Sequence, residues 1–192
     1  MTAEPTGRDR LLAAAITYFA EAGIADTSLR ALAGRIGTSH RMLLYHFGSR
    51  EGLLSAVVGV VEAAQRDTLA RLTTAPDGDP VEQARAFWRE VTEAAQTYGP
   101  LFFELSGHAM QGLPHAAGLR ADLVEPWLEP LATLAVRAGV DPRAARTLAR
   151  LQLAVARGLL FDLLISGDRA GVDAAMELFM SWFVAVTKGG DA

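Results

Sequence analysis

The sequence predicts an all-α protein of about nine helices, with an N-terminal three-helix head that holds a helix-turn-helix and a larger C-terminal helical domain. Three observations lead there. Apolar residues recur at three-to-four spacing from end to end, with no run of alternating β-branched residues that would mark a strand. Clusters of Gly, Pro, Asp and Ser cut this pattern at regular intervals. The charge also divides: residues 1–55 carry six Arg and five acids, net +1, whereas residues 56–192 carry twelve basic and seventeen acidic residues, net −5. The boundary is placed at residues 52 and 53, giving a head over 1–52 and a body over 53–192.

In the first helix, about Asp9 to Ala22, Leu11, Leu12, Ala15, Ile16 and Phe19 form the apolar stripe, and Gly23 is a natural left-handed stop. Thr27 is the expected N-cap of a short second helix, Ser28 to Arg35, with Leu29, Leu32, Ala33 and Ile36 inward. Gly37 ends it after two turns. Thr38 or Ser39 caps a third short helix reaching Leu44 or Tyr45. Ser49 caps a long fourth helix with Leu54, Val57, Val58, Val61, Leu69 and Leu72 on one side, about 35 Å in length at 1.5 Å per residue. Further breaks are expected at Thr73–Pro80, Tyr98–Pro100, Gln111–Gly118, Ala138–Pro142 and Ser166–Gly171, separating helices of roughly 18, 10, 20, 24 and 18 residues.

Composition removes several classes of function. With 192 residues, 51% of them apolar, the chain suffices for one full-sized domain or a small domain joined to a larger one. It has no cysteine, which excludes a disulfide framework, a thiolate metal site and a cysteine nucleophile, and a cytoplasmic location is expected. The opening MTAEPTGRDR lacks the apolar core of a signal peptide. The longest uncharged apolar stretches, Gly52–Val61 and Leu178–Thr187, are near ten residues, too short to span a membrane, so no membrane partner is expected. The four histidines, at 40, 46, 108 and 115, are too scattered for a metal set, and His108 reads as a solitary pocket or core residue. No metal and no cofactor are called for.

The net charge of −4 argues at first against nucleic acid, since neutralising phosphate requires a positive surface. The distribution reverses that argument. Thr27 to Arg50 contains Arg30, Arg35, Arg41, Arg50 and two histidines, with no Asp or Glu in twenty-four positions. The same window holds two short helices joined by a glycine turn, a unit whose second helix fits the major groove while the first braces it. The second of them, Thr38-Ser39-His40-Arg41-Met42-Leu43-Leu44-Tyr45, carries donors at its N-terminal end, where the helix dipole favours anions. Leu43, Leu44 and Phe47 read as its packing face. His46 is readable either as an interior cap of the turn or as a phosphate contact, and Arg35 either as a DNA-facing or a solvated charge.

Arg10 to Leu54 strongly resembles the N-terminal domain of TetR-type transcriptional regulators. The shared features are Phe19-Ala20-Glu21-x-Gly23, Thr27-Ser28, Leu32-Ala33, Ile36-Gly37, Ser39, Tyr45-His46-Phe47 and Ser49-Arg50-Glu51-x-Leu53. Where many members have Tyr-aromatic-His-Phe this chain has Leu44-Tyr45-His46-Phe47, and where many have lysine it has Arg50, which keeps the charge but changes its geometry. The resemblance implies that Arg30, His40, Arg41 and Met42 read base edges, an arginine contacting guanine bidentately and Met42 touching at most a thymine methyl. It implies that Thr27, Ser39, Tyr45, His46 and Arg50 clamp phosphates, with Thr38 beside them at the helix start.

The body is expected to bind a small molecule and to dimerise. Residues 80–138 are rich in large apolar groups, and the candidate ligand-lining set is Trp88, Phe102, Phe103, His108, Met110, Trp127 and Phe161. An ordinary core would need the same residues. For the dimer seam the last two helices are the candidates, through Leu148, Leu151, Val155 and Leu159, with alanines allowing close approach, and through Met176, Phe179 and Phe183. These readings combine into a ligand-responsive regulator, a repressor that binds a palindromic double-stranded DNA operator as a homodimer and is released by a small apolar or aromatic effector. The alternatives are a helical protein-binding adaptor or a helical enzyme with an inherited head. Against an enzyme stand the missing cysteine, metal cluster, glycine-rich phosphate loop and nucleophile–base spacing.

Overall fold

The computed structural model describes residues 6–22, 27–74 and 79–188. Among them are nine α-helices and no strand: α1 (Gly7–Ala22), α2 (Leu29–Arg35), α3 (His40–Phe47), α4 (Arg50–Thr74), α5 (Pro80–Met110), α6 (Ala117–Asp122), α7 (Glu125–Arg137), α8 (Pro142–Ser166) and α9 (Arg169–Lys188), with a 3-10 turn at Pro114–Ala116 before α6. They form two compact units, one from Met1–Val61 and Pro100–Arg120, the other from Glu62–Gly99 and Ala121–Ala192, over the described residues of each. The expected stop at Gly23 and most of the turn from Thr73 to Pro80 lie outside the described residues.

In the first unit, three serines set where helices begin. The Ser28 hydroxyl accepts from the Ala31 N–H at 3.2 Å, that of Ser39 from Met42 N–H at 3.2 Å and that of Ser49 from Gly52 N–H at 3.0 Å. Each satisfies one of the donors that a helix start leaves open. Ser28, not Thr27, therefore caps α2. Gly37 and Gly48 carry positive φ angles of 69° and 76°, which end α2 and α3 sharply enough to fold three helices into fewer than fifty residues. Leu12, Ala15 and Phe19 of α1, Leu29, Leu32 and Ala33 of α2, Leu43 and Phe47 of α3, and Leu53, Leu54, Val57 and Val58 of α4 are all buried. The Arg8 guanidinium lies 5.0 Å from the centre of the Phe47 ring, covering that core from the α1 side.

The helix α5 runs unbroken through Tyr98-Gly99-Pro100, where a break was expected. A proline inside a helix removes one hydrogen bond and costs about 3 kcal/mol. Buried Val91, Ala95, Leu101, Leu105 and Ala109 along the same helix supply the burial that offsets it. Gly99 has a packing role as well, because a Cβ there would sit 2.7 Å from Leu164 Cδ1 of α8. The helix expected after Gly118 is in fact two, α6 and α7, separated by a bend at Leu123–Val124. Pro126 falls in the first turn of α7, where its missing N–H is not needed.

The second unit is built from three apolar clusters. Leu69, Trp127, Leu128, Leu134, Ala149 and Leu153 form the first. Trp88, Leu163, Val172 and Met176 form the second, with Val155, Leu159 and Phe179 packed on it. Ala135, Val140, Ala145 and Phe183 form the third, with Leu148 against it. These clusters take up much of the expected dimer seam. Met176 and Phe183 are buried inside one protomer, and Leu148, Val155, Leu159 and Phe179 are half-buried there; only Leu151 of that set is exposed. The outward faces lie elsewhere. On α8, Leu151, Ala154, Gly158, Phe161 and Ile165 are exposed at alternating three- and four-residue intervals, and on α9 so are Ala174, Leu178, Trp182 and Ala185.

Candidate nucleic-acid interface

The two short helices α2 and α3 pack on each other through their apolar sides. What α3 leaves outside is set by the burial of Leu43 and Phe47. Arg41 is exposed, Met42 is 41% exposed, Leu44 38% and Tyr45 79%. Leu44 is thus no part of the packing face that the sequence suggested. His40 and His46 are half-buried, and the His46 ring meets that of Tyr45 edge-on, 5.0 Å between centres. On α2, Arg30 and Arg35 are exposed, whereas Thr38, in the turn, is half-buried and donates its N–H to the Ala33 carbonyl at 2.9 Å. Ser39 is exposed and spends its hydroxyl as the N-cap.

Two residues at the start of α4 hold this arrangement together. The half-buried Arg50 donates from Nε to the Thr27 carbonyl at 3.1 Å, tying α4 to the entrance of α2. Gly52 passes so close to the end of α3 that a Cβ would overlap the Phe47 carbonyl oxygen. Glu51, between them, is held below the ordinary carboxylate range. Hydrogen bonds from its own backbone N–H and from the Ser49 hydroxyl are the main cause, and the charges of His115 and Arg50 add to it.

His108 is not solitary. His115 Nε2 lies 3.0 Å from His108 Nδ1, with the two rings perpendicular, so one imidazole donates to the other. No group of three metal-ligating side chains occurs among the described residues.

The expected ligand-lining residues are divided between the units. Phe102, Phe103, His108 and Met110 belong to the first, and Trp88, Trp127 and Phe161 to the second. Met110 is 82% exposed and Phe161 more than half exposed. Both buried indoles hydrogen-bond to carboxylates: Trp88 Nε1 donates to Asp173 at 2.8 Å and Trp127 Nε1 to Glu62 at 2.9 Å. Glu62, which sequence reasoning missed, is itself buried and faces Arg157 at 3.5 Å. Burial raises its pKa, partly countered by the Arg157 charge and the Trp127 hydrogen bond. The same unit has a cavity of about 40 Å³, whose walls include Ala84, Leu134, Gln152, Phe179 and Phe183. Among the described residues the buried Gln152 Oε1 has no hydrogen-bond partner. None of the seven expected ligand residues lines this cavity.

Comparison with known proteins accords with this geometry. Residues 11–57 match the family described as bacterial regulatory proteins, tetR family. The HTH-type transcriptional regulator BetI of Stenotrophomonas maltophilia is 30% identical over 83 residues, which cover 43% of this chain and 42% of that protein. The match thus spans less than half the length of that relative. Solved structures extend the likeness along the chain. A TetR-family regulator from Pectobacterium atrosepticum superposes with a TM-score of 0.62 at 27% identity, covering 90% of this chain and 91% of that one. A TetR regulator from Legionella pneumophila gives 0.69 at 20% identity over 95% and 98%. SmeT in complex with triclosan gives 0.60 at 21% over 93% and 90%. Residues 11–57 thus carry the head motif of the bacterial regulatory proteins of the tetR family, and the chain shares its fold with TetR-family regulators over nearly its whole length.

Proposed function

We propose that the protein is a cytoplasmic, ligand-responsive transcriptional repressor that binds a palindromic operator as a homodimer and is released by a small apolar or aromatic effector. Residues 1–52 read DNA, and residues 53–192 dimerise and take the effector. The observation that carries the DNA reading is the outward face of α3, with Arg41 and Tyr45 one turn apart, in a stretch of twenty-four residues free of carboxylates. Arg30 and His40 join Arg41 and Met42 in reading bases, while Thr27, Thr38, Ser39, Tyr45, His46 and Arg50 position the phosphates. The effector reading draws support from SmeT, a structural neighbour solved with triclosan. Its contacts in this chain are proposed among Trp88, Phe102, Phe103, His108, Met110, Trp127 and Phe161.

Dimerisation is supported by the uncharged outward stripes of α8 and α9. Two such helices from each protomer make a four-helix bundle about a two-fold axis, which sets the recognition helices about 34–36 Å apart, or a multiple of that, on a palindrome. The effector acts through α4, a single helix running from the recognition unit at Arg50 to Thr74. By binding one position of α4 better than another it shifts the spacing of the heads. The test is binding of the purified protein to DNA upstream of its own gene, titrated with salt. A steep loss of affinity with rising salt is expected, and binding that is absent or indifferent to salt overturns the proposal.

A further inference from the structure

The outward face of α3 is unusual for a helix that meets a polyanion. At 100° per residue, burial of Leu43 and Phe47 puts Arg41 and Tyr45 at the centre of the exposed side and Met42 and Leu44 on its two flanks, about 160° apart. Both flanks are therefore apolar. Leucine has no hydrogen-bonding group and methionine only a weak acceptor, so neither gains anything beside a phosphate. In the major groove the one apolar feature of the base edges is the thymine C5-methyl group. A helix is about 10–12 Å across with its side chains and the groove about 12 Å wide, so the two flanks face base edges on different strands.

We propose that Met42 and Leu44 read thymine methyl groups, one on each strand of every operator half-site, on either side of a guanine contacted by Arg41. This inference rests on the DNA-binding reading above and adds to it the composition of the site. The shape of the helix imposes the separation: the two thymines cannot share a base pair or a strand. Leu44 matters most, because the resemblance assigns base reading to Met42 but not to this position.

The test begins by selecting bound duplexes from a random library with the full-length protein. The selected sequence is then resynthesised with uracil replacing thymine one position at a time, which deletes the methyl and leaves base pairing intact. At one thymine on each strand of a half-site the replacement is expected to weaken binding about three- to tenfold. Leu44→Ala should abolish the penalty at one of these positions, Met42→Ala at the other, each binding the uracil duplex as well as the wild type does. Both positions are exposed, and a melting curve for each variant verifies folding. Penalties under twofold at every thymine, or penalties that survive both substitutions, overturn the proposal while leaving DNA binding intact. Failure to enrich any duplex overturns the DNA-binding reading together with it.

Discussion

Glu62 shows what a single residue contributes that a sequence pattern conceals. On α4 it reads as one more acid on a solvated helix face, yet it is buried, 2.9 Å from the Trp127 indole nitrogen and 3.5 Å from Arg157. Those partners lie 65 and 95 positions along the chain, so no local pattern announces them. Burial raises the Glu62 pKa in the folded protein, so the fold binds its proton more tightly than the unfolded chain does. Its contribution to stability is therefore fully present below the unfolded value, near 4.5, and is lost as pH rises through the raised folded value. Glu51 and Glu177, with lowered values, act oppositely and lose their contribution under acid. In Glu62→Gln the difference in melting temperature from the wild type should change across the window above pH 4.5 and level off beyond it. Because the neutral amide stands in for the protonated acid, the variant should gain stability relative to the wild type as pH rises through that window. A pH-independent difference in calorimetry would contradict the assignment. Leu44 illustrates the converse limit: its apolar side chain read as core, and only the burial of Leu43 and Phe47 shows that it points outward.

Helix starts were legible because their chemistry is local. Ser39 and Ser49 were readable as caps, and Ser28 displaced Thr27 by one position because its hydroxyl reaches the Ala31 N–H. The break expected at Tyr98–Pro100 was not legible, since Gly99 and Pro100 look alike whether they end a helix or let α8 approach it closely. Gly52 is the clearest case of an element fixed by a neighbour rather than by its own propensity. Alanine is the better helix former by about 1 kcal/mol, but its Cβ would overlap the backbone oxygen of Phe47. Gly52→Ala is therefore expected to destabilise the protein by about 1–3 kcal/mol and to weaken DNA binding. A chemical denaturation midpoint equal to or above that of the wild type would show that α3 and α4 can separate freely. Arg50 separates two roles at the same junction. Arg50→Lys keeps the charge but loses the planar Nε bond to the Thr27 carbonyl, and should cost about 1 kcal/mol of stability while preserving the salt dependence of DNA binding. Arg50→Ala should lose that stability too and also lower the salt slope by about one. Equal slopes for the two variants would remove Arg50 from the phosphate clamp.

At the scale of the molecule, the net charge of −4 averages a slightly basic head with an acidic body, and some of the apolar residues lie outside the buried clusters. Which apolar residues stay outside is not legible in the sequence. The last two helices are apolar on more than one side, and a three-to-four period cannot tell which side a protomer keeps for itself. Burial settles that for Met176 and Phe183, which the fold uses internally, and leaves Ile165, Leu178 and Trp182 outside, at 74%, 72% and 48% exposure. A charge on the outer stripe should therefore divide the proposed dimer without unfolding the chain. Leu178→Glu is expected to sediment at half the mass of the wild type with an unchanged helical circular dichroism spectrum. Met176→Glu places the same charge within the cluster of Trp88, Leu163 and Val172 and should instead unfold it. The monomeric variant retains one intact head, so it should still bind DNA in a salt-dependent way. Having lost the second, tethered contact, it should bind a palindrome about 10²–10⁴-fold more weakly than the wild type, yet bind a single half-site equally well. A wild-type protein that is monomeric at micromolar concentration, or a Leu178→Glu variant that remains a dimer, would move the interface off these two helices.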